Sequence, residues 1–138
     1  MKGAHTLAIQ ATLRDTDALG HVNNAVYLTY VEQARGAYWL ELSGARSLTS
    51  LPGIILARVE CDFKRPAGPS EWLDVWLGTT KIGRTSFTIE CEIVGDDGQL
   101  VAKAKTVQVT YDYAAAKTVP VPDWFRARME EYEGRKLG

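Results

Sequence analysis

Two cysteines in 138 residues are too few for a disulfide framework. Cys61 and Cys91 both fall on apolar faces of alternating segments, so they read as reduced core residues in a cytoplasmic setting, where disulfides are rare. No run of eighteen apolar residues occurs, which excludes a spanning helix. The opening Met1–Thr6 carries one positive charge and passes into alternation without the apolar centre of a secretory leader. A basic excess is missing as well. Sixteen Lys and Arg against seventeen Asp and Glu leave a formal charge of −1, which argues against a nucleic-acid partner. Internal repeats and low-complexity stretches are absent. What remains is 46% hydrophobic and 24% charged, the balance of a globular protein. The length suits a single domain over 1–138.

The chain changes period several times. Residues 5–14 alternate, with Leu7, Ile9, Ala11 and Leu13 on one face, and predict a half-buried strand. From Asn24 to Leu42 the spacing is helical: Tyr27, Val31, Ala34, Tyr38 and Leu42 form a stripe that Val26, Tyr30, Ala37 and Leu40 widen. So wide an arc calls for a curved sheet as cover. Gly36 inside this helix, costing about 1 kcal/mol relative to alanine, suggests a close backbone approach. Ser43-Gly44 ends it. Strands follow at about 53–65, 71–82, 85–94 and 99–112. Pro66-Ala67-Gly68-Pro69, Gly83 and Asp96-Asp97-Gly98 turn the chain between them. Trp72 and Trp76 share an outer face, a sign of a subunit contact. In the last strand Ala102 and Ala104 lie opposite Val107, Val109 and Tyr111, which predicts a β-bulge near Lys105–Thr106. Asp123 reads as the N-cap of a short helix, Trp124–Tyr132, before a frayed polar tail. One long helix on one antiparallel sheet is an α+β arrangement. It leaves surface for a second copy on a two-fold axis.

The chemistry concentrates in Arg14–Asn24, with two carboxylates, an imidazole and two carboxamides at the mouth of the helix. The first backbone N–H groups of a helix lack intrahelical partners and favour an anion or a polarised carbonyl. That makes a site, with Asp17 or His21 as the acid–base group. The plainer alternative is that Asn23 or Asn24 caps the helix and the aspartates sit in a solvated loop. Asp15, Asp17 and His21 also have the chemistry of a metal set, although no metal is expected.

Asp15-Thr16-Asp17-Ala18-Leu19-Gly20-His21-Val22-Asn23-Asn24-Ala25-Val26-Tyr27, followed by Glu32-Gln33-Ala34-Arg35, resembles the acyl-CoA thioesterases of the hotdog fold, and more narrowly the 4-hydroxybenzoyl-CoA thioesterase-like family. The strand order and the Gly83-Arg84-Thr85-Ser86 return extend the likeness over about residues 5–122, leaving a short C-terminal helix and tail over 123–138. The resemblance implies a long central helix wrapped by a five-stranded antiparallel sheet, and a homodimer joined edge to edge, in many members paired into tetramers. It implies an active site shared between subunits. Asp17 matches the carboxylate acting as nucleophile or general base, and Asn24 the residue whose backbone N–H polarises the thioester carbonyl. His21 is a further catalytic candidate, but Leu19 stands where an Asp-x-Asn-x-His network would need asparagine. Substrate contacts are expected from Gly20, Val22, Asn23, Tyr27, Arg65, Arg84 and Ser86. Lys64, Arg58, Lys81, Lys103 and Lys105 are other cations for the CoA phosphates, and Tyr30, Val31 and Phe63 are further pocket candidates. No cofactor is implied, since CoA belongs to the substrate. A hotdog dehydratase or hydratase and a non-catalytic acyl-CoA sensing module are the competing readings.

Overall fold

The computed structural model describes residues 5–44 and 51–138. Strand β1 (His5–Gln10) leads through a 3-10 turn at Leu13–Asp15 to helix α1 (Asn24–Leu42). Strands β2 (Ile54–Phe63), β3 (Trp72–Ile82), β4 (Ser86–Gly95) and β5 (Leu100–Asp112) follow, then a two-residue β6 (Lys117–Thr118) and helix α2 (Asp123–Glu133). The sheet runs β1-β3-β4-β5-β2, with every pairing antiparallel and β6 beside the end of β5. The hotdog α+β architecture read from the sequence is therefore present, with one short strand added. Among the described residues no helix is long and apolar enough to cross a membrane.

Alternation builds the inner face in rows. Phe63, Ala102, Ile93, Val75 and Leu7 stand side by side across the sheet, and the next row is Cys61, Ala104, Cys91, Leu77 and His5. Cys61 and Cys91 are thus two strands apart, about 9–10 Å at the usual interstrand spacing, and both are free thiols. The α1 stripe Tyr27, Val31, Ala34, Tyr38 and Leu42 lies on these rows, fully buried. Covering the sheet's β2 side falls short: Leu56, Val59 and Phe63 are 42%, 37% and 44% exposed on an edge strand.

Several expectations need correction. Strand β1 stops at Gln10, because Ala11 turns to exchange bonds with Ser70 and Glu71, and Leu13 in the 3-10 turn points out at 77% exposure. Nothing lies within 4 Å of a Cβ placed on Gly36. Close approaches fall instead at glycines such as Gly53, where a Cβ would run into the Tyr111 carbonyl oxygen, and Gly138, where it would meet that of Ile82. The register of β5 passes unbroken through Lys105 and Thr106; its face does not switch. Its inner residues merely turn polar, as Thr106, Gln108 and Thr110, all buried. One irregularity is on β2, where Ala57 is extra between the Leu56–Gln108 and Arg58–Val107 pairs, and the bulge of β5 lies at its start, where Val101 is extra between the Ile93–Ala102 and Val94–Leu100 pairs. Pro122, not Asp123, occupies the N-cap of α2, and Asp123 is the acid of its first turn. Finally, the tail does not fray. Leu137 is buried, accepts from the Ile82 N–H at 3.0 Å and donates its own N–H to Glu130 Oε2 at 2.7 Å.

Candidate active site

The loop between β1 and α1 is tied at both stems. Asp15 Oδ2 accepts from the Tyr30 hydroxyl at 2.6 Å and from the Thr12 N–H at 2.9 Å, while its carbonyl takes the Asn23 N–H at 2.8 Å. Burial opposes its charge, but the hydroxyl and amide donors outweigh that and hold the Asp15 carboxyl below the ordinary range. Burial and the neighbouring carboxylate push the Tyr30 hydroxyl up in turn. Thr16 and Val22 form a β-bridge, and Val22, 2% exposed, donates its N–H to the Ala67 carbonyl at 2.8 Å.

Inside that frame the tip is a tight turn. The Asp17 N–H bonds the His21 carbonyl at 2.8 Å, and the Gly20 N–H returns to the Asp17 carbonyl at 3.1 Å. Gly20 sits at φ +80°, a left-handed conformation that a side chain would strain. The Asp17 Oδ1 accepts from the Leu19 N–H at 2.8 Å, which leaves Oδ2 without a partner among the described residues. His21 is exposed, and its ring likewise has no bonding partner among them.

At the helix mouth Asn23 is the N-cap. Its side chain accepts from the Ala25 N–H at 3.0 Å and its carbonyl from the Val26 N–H at 2.8 Å. The Asn24 N–H is left with no partner among the described residues. One cavity of about 370 Å³ gathers these groups, lined by Asp17, Leu19, His21, Val22, Asn24, Tyr27, Phe63, Lys64, Arg65 and Pro66. Tyr27, 2% exposed, is held there by the Ala67 N–H on its hydroxyl at 3.2 Å and by the Phe63 ring at 5.7 Å.

The two arginines favoured from the sequence are placed differently. Arg65 edges the cavity, but its guanidinium forks onto Glu71 at 2.6 and 3.3 Å and reaches Asp97 Oδ1 at 2.9 Å. It fastens the proline turn to the β4–β5 hairpin. Lys64 beside it is exposed and in no ion pair among the described residues. Arg84 and Ser86 sit in the β3–β4 return, a full eleven-residue strand from the mouth, about 35 Å at the usual rise. Within one chain they do not meet Asp17. Leu19 and Pro66 read from the sequence as a departure from a catalytic network and as a turn residue, not as cavity lining, since an exposed leucine and a turn proline carry no pattern of their own.

The Asp15, Asp17 and His21 side chains do not converge on a metal position. Among the described residues only Glu71, Asp96 and Asp97 bring ligand atoms within 4.8 Å of one another, and the Arg65 guanidinium is bonded to two of the three.

The model of the thioesterase-like superfamily matches residues 11–129. A thioesterase of Thermus thermophilus, solved with coenzyme A and Zn, is 33% identical and superposes with a TM-score of 0.89 over 99% of this chain and 100% of its own. The long-chain acyl-CoA thioesterase FadM of Escherichia coli (strain K12) is 25% identical over 120 residues, 83% of this chain and 89% of its own. The 1,4-dihydroxy-2-naphthoyl-CoA thioesterase Slr0204 of Synechocystis is 25% identical, with a TM-score of 0.79 over 91% and 94% of the two chains.

Proposed function

This chain belongs to the thioesterase-like superfamily, and from that we propose that it hydrolyses acyl-CoA thioesters to a carboxylic acid and CoA, with Asp17 and the Asn24 N–H as the working pair. The observation that carries this reading is that a carboxylate oxygen and a helix-start N–H, both without a partner among the described residues, belong to residues lining the same cavity.

The thioester carbonyl oxygen would rest on the Asn24 N–H, where the helix start favours the charge that develops as the carbonyl carbon becomes tetrahedral. Asp17 Oδ2 would either take the proton of an attacking water or itself bond the carbonyl carbon, giving an acyl–Asp17 anhydride that water then opens. On both routes the carbon–sulfur bond breaks with its electron pair on sulfur, and CoA leaves as the thiolate, so a strong general acid is not required. The bond from Leu19 N–H to Oδ1 fixes the carboxylate without consuming the oxygen that acts. His21 at the rim would shuttle a proton to solvent.

The remaining contacts follow from what each group has left to give. Tyr27, Val22 and Phe63 would border the acyl group, and Gly20 and Asn23 shape the backbone around it. With Arg65 engaged by two carboxylates, Lys64 is the cation free at the mouth for a CoA phosphate. Arg84 and Ser86 would join from a second copy, because only another chain brings that end of a sheet to this cavity. The proposed site is therefore one at the interface of a homodimer.

Replacing Asp17 by asparagine keeps the Leu19 contact and removes the acid–base and nucleophilic chemistry. The expected result is a fall in kcat of about 10²–10⁴ with KM little changed. Release of free CoA thiol from a panel of acyl-CoA esters is the readout, and near-native turnover by the variant would remove Asp17 from this role.

A further inference from the structure

Three buried hydrogen-bond donors on α1 have nothing to receive them among the described residues. Arg35 is 5% exposed, and its Nε and Nη1 have no acceptor; the indole Nε1 of Trp39, one turn on, is equally without one. The Arg35 guanidinium lies over the Trp39 ring at 5.6 Å, so the two side chains are neighbours on one flank of the helix. Burial lowers the Arg35 pKa, against the attraction of the Glu32 carboxylate; the Cys91 thiol below it is pushed up to about 12 by its own burial and stays uncharged. A buried cation without a counter-ion is costly, and Glu32, one turn earlier, is exposed and makes no ion pair with it among the described residues.

The position of the pair says what it faces. At 3.6 residues per turn, Asn24, Leu28, Arg35 and Trp39 share one flank of α1. The opposite flank carries Tyr30, which reaches Asp15 at the end of β1. The Arg35 flank therefore looks along the sheet toward the sparsely covered β5–β2 side, and Leu28 on it is 37% exposed. There the wall beyond Phe63 continues as Cys61 and Val59, with the small Ala102 and Ala104 beside them. Arg35 follows Asn24 by eleven residues, about 16 Å of helix; because helical side chains lean toward the N-terminus, the guanidinium falls about 10 Å from the mouth.

We propose that Arg35 and Trp39 are the receptor for a carboxylate at the far end of the acyl chain, so that the preferred substrates are CoA monothioesters of medium-length dicarboxylic acids. This rests on the thioesterase reading above and adds the polar end of the acyl group to it. The cavity is lined as far as Tyr27 and Phe63; beyond them Val31 and Cys61 would part for the methylenes to reach Arg35. The guanidinium and indole N–H groups then supply charge-assisted bonds that a plain alkyl chain cannot accept, and an alkyl chain leaves the three donors buried and unmet.

Hydrolysis of octanedioyl-CoA and decanedioyl-CoA is compared with that of octanoyl-CoA and decanoyl-CoA. The wild-type chain should favour the diacid thioesters by roughly 10–100-fold in kcat/KM, the range for bonds to a charged group. Arg35→Met should abolish or invert that ratio while sparing the plain acyl-CoAs. Arg35→Lys should keep part of it. Trp39→Phe, which retains an aromatic ring and loses the N–H, should lower it several-fold at unchanged Tm. A wild-type ratio near one overturns the proposal and leaves the thioesterase reading standing, as does an equal loss on both substrates in Arg35→Met. A change of oligomeric state in Arg35→Met at unchanged ratio overturns it too, giving the guanidinium to a carboxylate of a second copy. Failure of the wild-type chain to cleave any of the four esters removes the thioesterase reading and this one with it.

Discussion

Two aspartates two positions apart have opposite fates. Asp15 is consumed by the Tyr30 hydroxyl and the Thr12 amide, and Asp17 keeps an oxygen free. No spacing rule separates them, because what divides them is a tyrosine fifteen residues beyond the first. The same holds for Arg65 and Lys64, adjacent cations of which one is spent on Glu71 and Asp97. A single-atom test is open at Asn24. It is the first helical residue, where proline is tolerated because that N–H lacks an intrahelical acceptor. Asn23 before it already has the extended backbone that proline demands, φ −61° and ψ 135°. Asn24→Pro should leave Tm within a few degrees and lower kcat by about 10²–10³, the cost of one lost oxyanion donor. Thermal melts alongside thiol-release kinetics would check it, and unimpaired kcat would free that N–H from its role.

Elements were legible where period and burial agree. The stripe of α1 and the inner faces of β3 and β4 follow the sequence position by position, with Leu73, Val75, Leu77, Phe87, Ile89, Cys91 and Ile93 all at 0–1% exposure. β5 departs from its apolar pattern because the second half of its inner face is polar. Thr106 and Thr110 are buried with their hydroxyls bonded to the Ile89, Thr85 and Val119 carbonyls, a satisfaction supplied by other segments and invisible in their own. The docking of α2 was hidden for a similar reason. Glu133 reads as a solvated end, yet its Oε2 accepts from the Tyr38 hydroxyl at 2.6 Å and the Thr79 N–H at 3.1 Å. The same corner holds His5, at 3.4 Å from the Tyr132 hydroxyl and beside the Tyr38 ring. Burial pulls the His5 pKa below its ordinary 6.5, against the attraction of Glu41. A folded value below the unfolded one means stability is complete above 6.5 and falls as pH drops toward and through the folded value. The depressed Asp15 and Glu71 carboxyls lose theirs only later, below about 4. Tm should therefore decline in two stages on acidification. His5→Phe should flatten the first and leave the second, and an unchanged profile between about pH 7 and 5 would contradict this.

At the scale of the molecule, the sequence told the wrap of sheet around helix but not where the wrap is incomplete. The apolar alternation of β2 runs from Val59 through Cys61 to Phe63 and breaks at Ala57, yet most of the strand is open to solvent, because alternation reports two faces and not what covers them. A strand edge with unpaired backbone and exposed apolar side chains asks for another strand, which is why a second copy belongs in the functional reading. The length of β3 then has a genetic corollary. If each catalytic centre draws Asp17 from one polypeptide and Arg84 from its neighbour, two defective alleles repair one another. Mixed and allowed to exchange, Asp17→Asn and Arg84→Ala proteins would form hybrids in which one centre of the two is intact, restoring about a quarter of native turnover from two weakly active parents. Centres assembled within one polypeptide would show no such recovery.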